Sequence, residues 1–179
     1  MKATGIVRRI DDLGRIVIPK EIRRTMHIKD GDPLEIFVGS GEIVFKKYSL
    51  MGEFESLAIG FAETLYKDLG MPVAICDLEH VMAISGIPKK EVEGKGNSHA
   101  LAVLMKNRET FLFDGEKVMY PIDGLDRSAH IIIPVICGVD ILGAVVVFEA
   151  SYGNRIPADI DVRLAKFTAG LIAKQAETE

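Results

Sequence analysis

The sequence predicts an α+β protein in two modules, a small ββαββ unit followed by a larger α+β unit with an antiparallel sheet. Three observations predict it. The first fifty residues set short β-branched runs and turn formers around one short helix. From Phe54 onward a helical period takes over, and the strands that follow are bracketed by helices. Charge divides at the same place: residues 1–50 hold ten Lys and Arg against seven Asp and Glu, whereas residues 51–179 hold twelve against nineteen. The predicted domains are therefore 1–50 and 56–179, with a linker over 51–55.

In the first module TGIVRRI and GRIVI are β-branched-rich runs joined by DDLG, whose Asp and Gly residues form turns, and together they predict a hairpin. Pro19 fits the first turn of a helix, where its missing N–H is no loss. That helix, KEIRRTMH, ends near KDGDP, and PLEIFV and EIVFKK then flank a Gly-Ser-Gly turn as a second hairpin. Domains below about 60 residues bury too little surface to be comfortable alone. A second copy is therefore expected, and two copies exchanging hairpins close a small barrel and remove the open strand edges.

In the second module Phe54, Ala58, Phe61 and Leu65 repeat at helical spacing, with Leu57 and Leu69 widening the stripe. MPVAICD and HVMAIS read as strands, and NSHALAVLMKNRE reads as a helix capped by Asn97 or Ser98. SAHIIIPVI and ILGAVVVFE are buried-type runs joined by CGVD, again a hairpin. Pro157 opens a last helix with Ile160, Leu164, Phe167 and Leu171 on one stripe. The stripes of the first and last helices either cover the module's own sheet or pack against a second copy.

Several function classes find little support. With 48% hydrophobic and 27% charged residues the chain is ordinary globular material. No apolar run reaches the roughly 18 residues that span a bilayer, and MKATGIVRRID lacks an apolar leader of about 7–15 residues. A soluble, cytoplasmic protein with no membrane partner is expected. Cys76 and Cys137 form no C-x-x-C pair and read as buried thiols. His27, His80, His99 and His130 never stand at H-x-x-x-H spacing, so no metal is expected. Ser85, Ser98 and Ser128 lack a G-x-S-x-G context, and Asp77 and Glu79 read as turn residues. Gly94-Lys95-Gly96-Asn97-Ser98 lacks the spacing of a phosphate loop and reads as a loop and helix cap. No catalytic residue and no cofactor are assigned.

The positive signal is the basic segment. Residues 1–29 hold eight Lys and Arg against three acidic residues. Lys20, Arg23, Arg24 and His27 stand at i, i+3, i+4 and i+7, within about a 100° sector of a helix whose other side carries Ile22 and Met26. The hairpin adds Arg8, Arg9 and Arg15. Arg8 and Arg9, as strand neighbours, point to opposite faces, and one of them can pair with Asp11 or Asp12. Between positions 8 and 24 there are five Arg to one Lys, and the planar fork of Arg suits phosphates and guanine edges. Few aromatic residues accompany them, which favours duplex DNA over single strands.

The run GIVRRIDDLGRIVIPKEIRR followed by DPLEIFV resembles the AbrB-like family of bacterial transition-state regulators over residues 5–48. The resemblance implies a swapped-hairpin β-barrel dimer that binds double-stranded DNA through Arg8, Arg15, Arg23 and Arg24; Arg9 and Lys20 join them on charge grounds. HIIIPVICGVDILGAVVVF resembles a GAF domain, a sensory α+β fold, which implies a small-molecule ligand, of unknown identity, or an oligomerisation role. Neither a cyclic-nucleotide signature nor a Cys-His bilin anchor is present. The two-part arrangement resembles sporulation regulators and implies a transcription factor, activator or repressor; the apolar stripes of the C-terminal helices add the expectation that dimers formed through residues 1–50 join into a tetramer. The alternative is an antitoxin-type DNA-binding protein that neutralises a partner toxin, since domains resembling residues 5–48 also serve that role.

Overall fold

A computed structural model describes residues 5–47, 55–150 and 156–177. The chain divides into two compact units, Met1–Tyr48 and Ser49–Glu179. Residues 51–54 of the expected linker lie outside the described residues, as does Phe54 of the expected helical stripe; Glu55 already begins a helix.

In the first unit a turn spans Asp11 to Arg15. The Asp11 amide donates to the Arg15 carbonyl at 3.1 Å and the Gly14 amide to the Asp11 carbonyl at 3.0 Å. Gly14 has φ +76°, a conformation glycine adopts without steric cost. On either side, residues 5–10 and 16–19 form no strand ladder. The strands expected over TGIVRRI and GRIVI are thus absent from the single chain. The physical reason is visible in Val7, Ile10, Leu13, Ile16 and Val17, all exposed: one chain offers no surface that would align these arms.

Helix α1, Lys20–Thr25, follows Pro19, the one buried residue among the described part of this unit. The expected helix ran through His27. It stops earlier because His27 turns left-handed at φ 51°, with the Ile28 amide donating to Arg23 O at 2.8 Å and the His27 amide to Arg24 O at 3.4 Å. This is the Schellman termination, with His in the place usually held by Gly. The second hairpin forms as expected: β1, Leu34–Gly39, pairs antiparallel with β2, Glu42–Lys47, from Leu34 opposite Lys47 to Gly39 opposite Glu42.

The second unit is a five-stranded antiparallel sheet between two helical layers. Its elements are α2 (Glu55–Leu69), β3 (Val73–Cys76), β4 (Val81–Ser85), α3 (His99–Asn107), β5 (Phe111–Leu112), β6 (Ala129–Cys137), β7 (Asp140–Phe148) and α4 (Asp159–Ala176). A 3₁₀ turn at Lys89–Glu91 and the short β5 are additions to the expected set. Strand order is β4-β3-β7-β6-β5. Pro134 is tolerated in β6 because β5 pairs only Phe111 with Ile132 and Leu112 with Ile131, leaving that side of β6 open beyond them.

Alternating residues of the central strands feed two cores. Val73, Ile75, Ile131, Ile133, Val145 and Val147 meet α2 and α4, while Ala74, Cys76, Ile132, Ala144, Val146 and Phe148 meet α3 and its flanking loops. Both faces being covered explains why β6 and β7 read as continuous apolar runs. Each of these fully buried Val, Ile or Phe side chains contributes about 1.5–3 kcal/mol. Gly143 meets a different constraint, since a Cβ there would collide with the carbonyl of Cys76, where β3 breaks register against β4.

Of the two roles expected for its apolar stripe, the last helix does not fill the first, that of covering the module's own sheet. Its buried stripe is Asp161, Ala165, Thr168, Ala169 and Ile172, mostly small residues that bring α4 close to the sheet. Ile160, Phe167 and Leu171 of the expected stripe are exposed, and Leu164 is half-buried. On α2 the buried positions are Ala58, Ala62, Leu65 and Leu69, with Phe61 half-buried and Leu57 exposed. Among the described residues no helix is long and apolar enough to cross a membrane.

Candidate nucleic-acid interface

The six cations singled out above all belong to the first unit. Arg8, Arg9, Arg15, Lys20 and Arg24 are exposed, and Arg23 is half-buried. The unit contributes them from two places: Lys20, Arg23 and Arg24 from the short α1, and Arg8, Arg9 and Arg15 from around the Asp11–Arg15 turn. His27, carried into the left-handed region, leaves the helical sector that the spacing assigned to it. Met26, on the side of the helix opposite the cations, is exposed in the single chain.

Two of the arginines are held by carboxylates. Asp11 Oδ1 accepts from the Leu13 amide at 3.1 Å and from the Arg15 amide at 2.8 Å, and Oδ2 accepts from Arg15 Nε at 2.8 Å. The Arg15 amide, then its guanidinium, then the Leu13 amide hold the Asp11 carboxyl below the usual carboxylate range, against a small opposing effect of desolvation. A depressed carboxyl supports the folded turn above its unfolded pKa, and that support is lost as pH falls through the lower folded value. Arg23 Nη1 donates to Asp30 Oδ1 at 2.8 Å, while its backbone carbonyl accepts from Ile28. One of Arg8 and Arg9 was expected to pair with Asp11 or Asp12; Asp11 instead holds Arg15. Arg8 instead donates from Nη1 to the Val7 carbonyl at 3.0 Å. The four-residue separation of Asp11 and Arg15 across a Gly-containing turn is the signal that could have revealed this pair.

In the second unit the Gly94–Ser98 segment is a structural seam. The Asn97 amide donates to Glu79 O at 2.7 Å, Lys95 Nζ to Gly124 O at 2.5 Å, and Ser98 Oγ caps α3 by accepting from the Leu101 amide at 3.2 Å. Asp77 Oδ1 accepts from the amides of Glu79 and His80 at 2.7 and 2.6 Å, fixing a turn. Cys76 is fully buried, and burial raises its thiol pKa far above the ordinary value, with Asp77 adding to the rise. A groove of about 710 Å³ lies beside the start of α3, lined by residues including His99, Phe111, Lys117, Met119 and Tyr120. Among the described residues no group of His, Cys, Asp and Glu could hold a metal ion.

Residues 53–177 match the family described as stage V sporulation protein T C-terminal, transcription factor. Residues 7–50 match the family described as antidote-toxin recognition MazE, bacterial antitoxin. Stage V sporulation protein T of Bacillus subtilis (strain 168) is 42% identical over 180 residues, covering 99% of this chain and 99% of that protein. Transition state regulatory protein AbrB of the same organism is 58% identical over 48 residues, 27% of this chain and 50% of AbrB. Among solved structures, the GAF domain of an Acinetobacter phosphoenolpyruvate-protein phosphotransferase is similar with a TM-score of 0.54 at 10% identity, over 74% of this chain and 85% of that one. At that identity the likeness concerns the fold alone.

Proposed function

The chain belongs to the stage V sporulation protein T family and is a DNA-binding transcriptional regulator with a GAF-like C-terminal domain; from that premise we propose that it controls sporulation genes from the cytoplasm, without enzymatic activity, by gripping duplex DNA with paired N-terminal units. Arg8, Arg15, Arg23 and Arg24 make the principal contacts, and Arg9 and Lys20 add phosphate contacts. The observation that supports this most directly is the exposure of five of these six cations on a unit of fewer than fifty residues. Phosphate contacts position the protein and provide most of the affinity, and only a few arginines read bases. The domain limits that go with this reading are 1–50 and 56–179, joined through 51–55.

Self-association completes the site. The apolar arms of the first unit find their cover in a second copy, giving a swapped-hairpin dimer. The outward stripe of α4, at Ile160, Phe167 and Leu171, joins two such dimers into a tetramer.

Fluorescence anisotropy with duplex DNA at graded salt tests the reading. Arg15→Ala or Arg23→Ala is expected to weaken binding and to reduce the log–log salt slope by about 0.9 for each phosphate no longer neutralised. Folded variants that bind with the original affinity and slope would remove the assignment.

The MazE-family match over residues 7–50 favours one second reading, an antitoxin. Such a protein acts through a C-terminal tail disordered until bound. Limited proteolysis separates the two: a stable fragment covering residues 56–177 supports the regulator, and rapid digestion of that part supports the antitoxin.

A further inference from the structure

We propose that Asp11 is a positioning residue for DNA recognition, setting the guanidinium of Arg15 in the orientation in which it meets the duplex. The inference rests on the assignment of Arg15 as a DNA contact and goes one step further, to a residue whose charge has the wrong sign for touching DNA.

The geometry carries it. Asp11 uses its two carboxylate oxygens for different purposes. Oδ1 builds the turn by accepting the amides of Leu13 and Arg15. Oδ2 takes no part in the turn and accepts from Arg15 Nε, at 2.8 Å. The Arg15 side chain nevertheless remains 69% exposed, so its terminal nitrogens face solvent while its inner nitrogen is fixed. An isolated surface pair of this kind adds little stability, commonly about 0–1 kcal/mol. It does remove rotamer freedom from a long side chain before binding, and an arginine that is already oriented loses less on docking. Asp12, the next residue, is equally acidic and lies in the same turn, yet makes no side-chain hydrogen bond among the described residues. The two neighbouring carboxylates therefore allow orientation to be separated from charge.

The two effects have opposite signs. Removing a negative charge beside the phosphate backbone strengthens binding by electrostatics alone. Removing the anchor of Arg15 weakens it. Asp11→Asn makes the cut cleanly, because the amide oxygen can still accept the two turn amides while an NH2 group replaces the oxygen that holds Nε.

The experiment measures full-length protein against two probes: a duplex enriched by the wild-type protein from a random-sequence pool, and poly(dI-dC). Asp11→Asn is expected to weaken the enriched duplex about three- to tenfold, with poly(dI-dC) binding unchanged or tighter. Asp12→Asn should weaken neither. In an Arg15→Lys background, which keeps the charge and lacks the Nε–H, Asp11→Asn should cost nothing further. The proposal is overturned if Asp11→Asn binds the enriched duplex as tightly as wild type, if the loss persists in the Arg15→Lys background, or if both probes weaken equally, which would mark a fold defect. Arg15→Ala is run alongside: if it leaves binding unchanged, the contact assignment itself fails, a result distinct from failure of the anchor.

Discussion

Arg15 and Arg23 show how a regulator with an acidic whole can hold basic groups ready: each guanidinium is tied at one nitrogen to a nearby carboxylate, Asp11 or Asp30. Cys76 stands at the other extreme of accessibility. Its thiol lies in the core face of β3, and burial opposes the thiolate. Alkylation requires the thiolate. Mass spectrometry of iodoacetamide-treated native protein should therefore find Cys76 unmodified until the second unit unfolds, while half-buried Cys137 labels earlier. The arginines were legible as charge in the sequence. Their carboxylate partners were not, because pairing depends on where a turn puts two side chains, and a count of charges carries no such information.

The helices make the corresponding point about elements. On α4 two stripes share one helical period, and the apolar one, Ile160-Leu164-Phe167-Leu171, was expected to cover either the module's own sheet or a second copy. The structure buries Ala165, Ala169 and Ile172 instead, since small residues let a helix approach a sheet that already supplies large Val and Ile side chains. Hydrophobicity alone could not rank the two. Ile172→Ala should thus cost about 2–5 kcal/mol in urea unfolding, whereas Phe167→Asp should leave stability nearly unchanged and reduce the assembly size seen by light scattering. Strands β6 and β7 and their tight turn were legible from end to end, as continuous apolar runs are. The need for Gly143 was not, being set by the carbonyl of a distant strand. Gly143→Ala is expected to destabilise the second unit by on the order of 3 kcal/mol, by the same assay.

For the whole molecule, the charge division between residues 1–50 and 51–179 matches a division of labour: a cationic reader and an acidic unit with its own double core. If α4 joins two DNA-binding dimers, affinity for a duplex with two sites exceeds that for one site by up to about 10²–10⁴. Phe167→Asp should abolish that difference while leaving single-site binding intact, as measured by anisotropy on duplexes with one or two enriched sites. The two-part order was plain in the sequence because period and charge change together near residue 50. The first hairpin was equally plain, yet its arms form no ladder within one chain.

That missing ladder has a consequence for timing in the cell. Val7, Leu13, Val17 and Val38 meet water at 69–83% exposure in a lone chain. Under the proposed pairing, a unit so poorly covered gains its stability by mass action with another copy. Dilution should then melt the reader while the acidic half stays intact. If the proposed dimer covers these arms, expression level itself becomes an input: newly made chains stay silent until enough have accumulated to pair, and occupancy of the genome then rises faster than in proportion to the amount of protein.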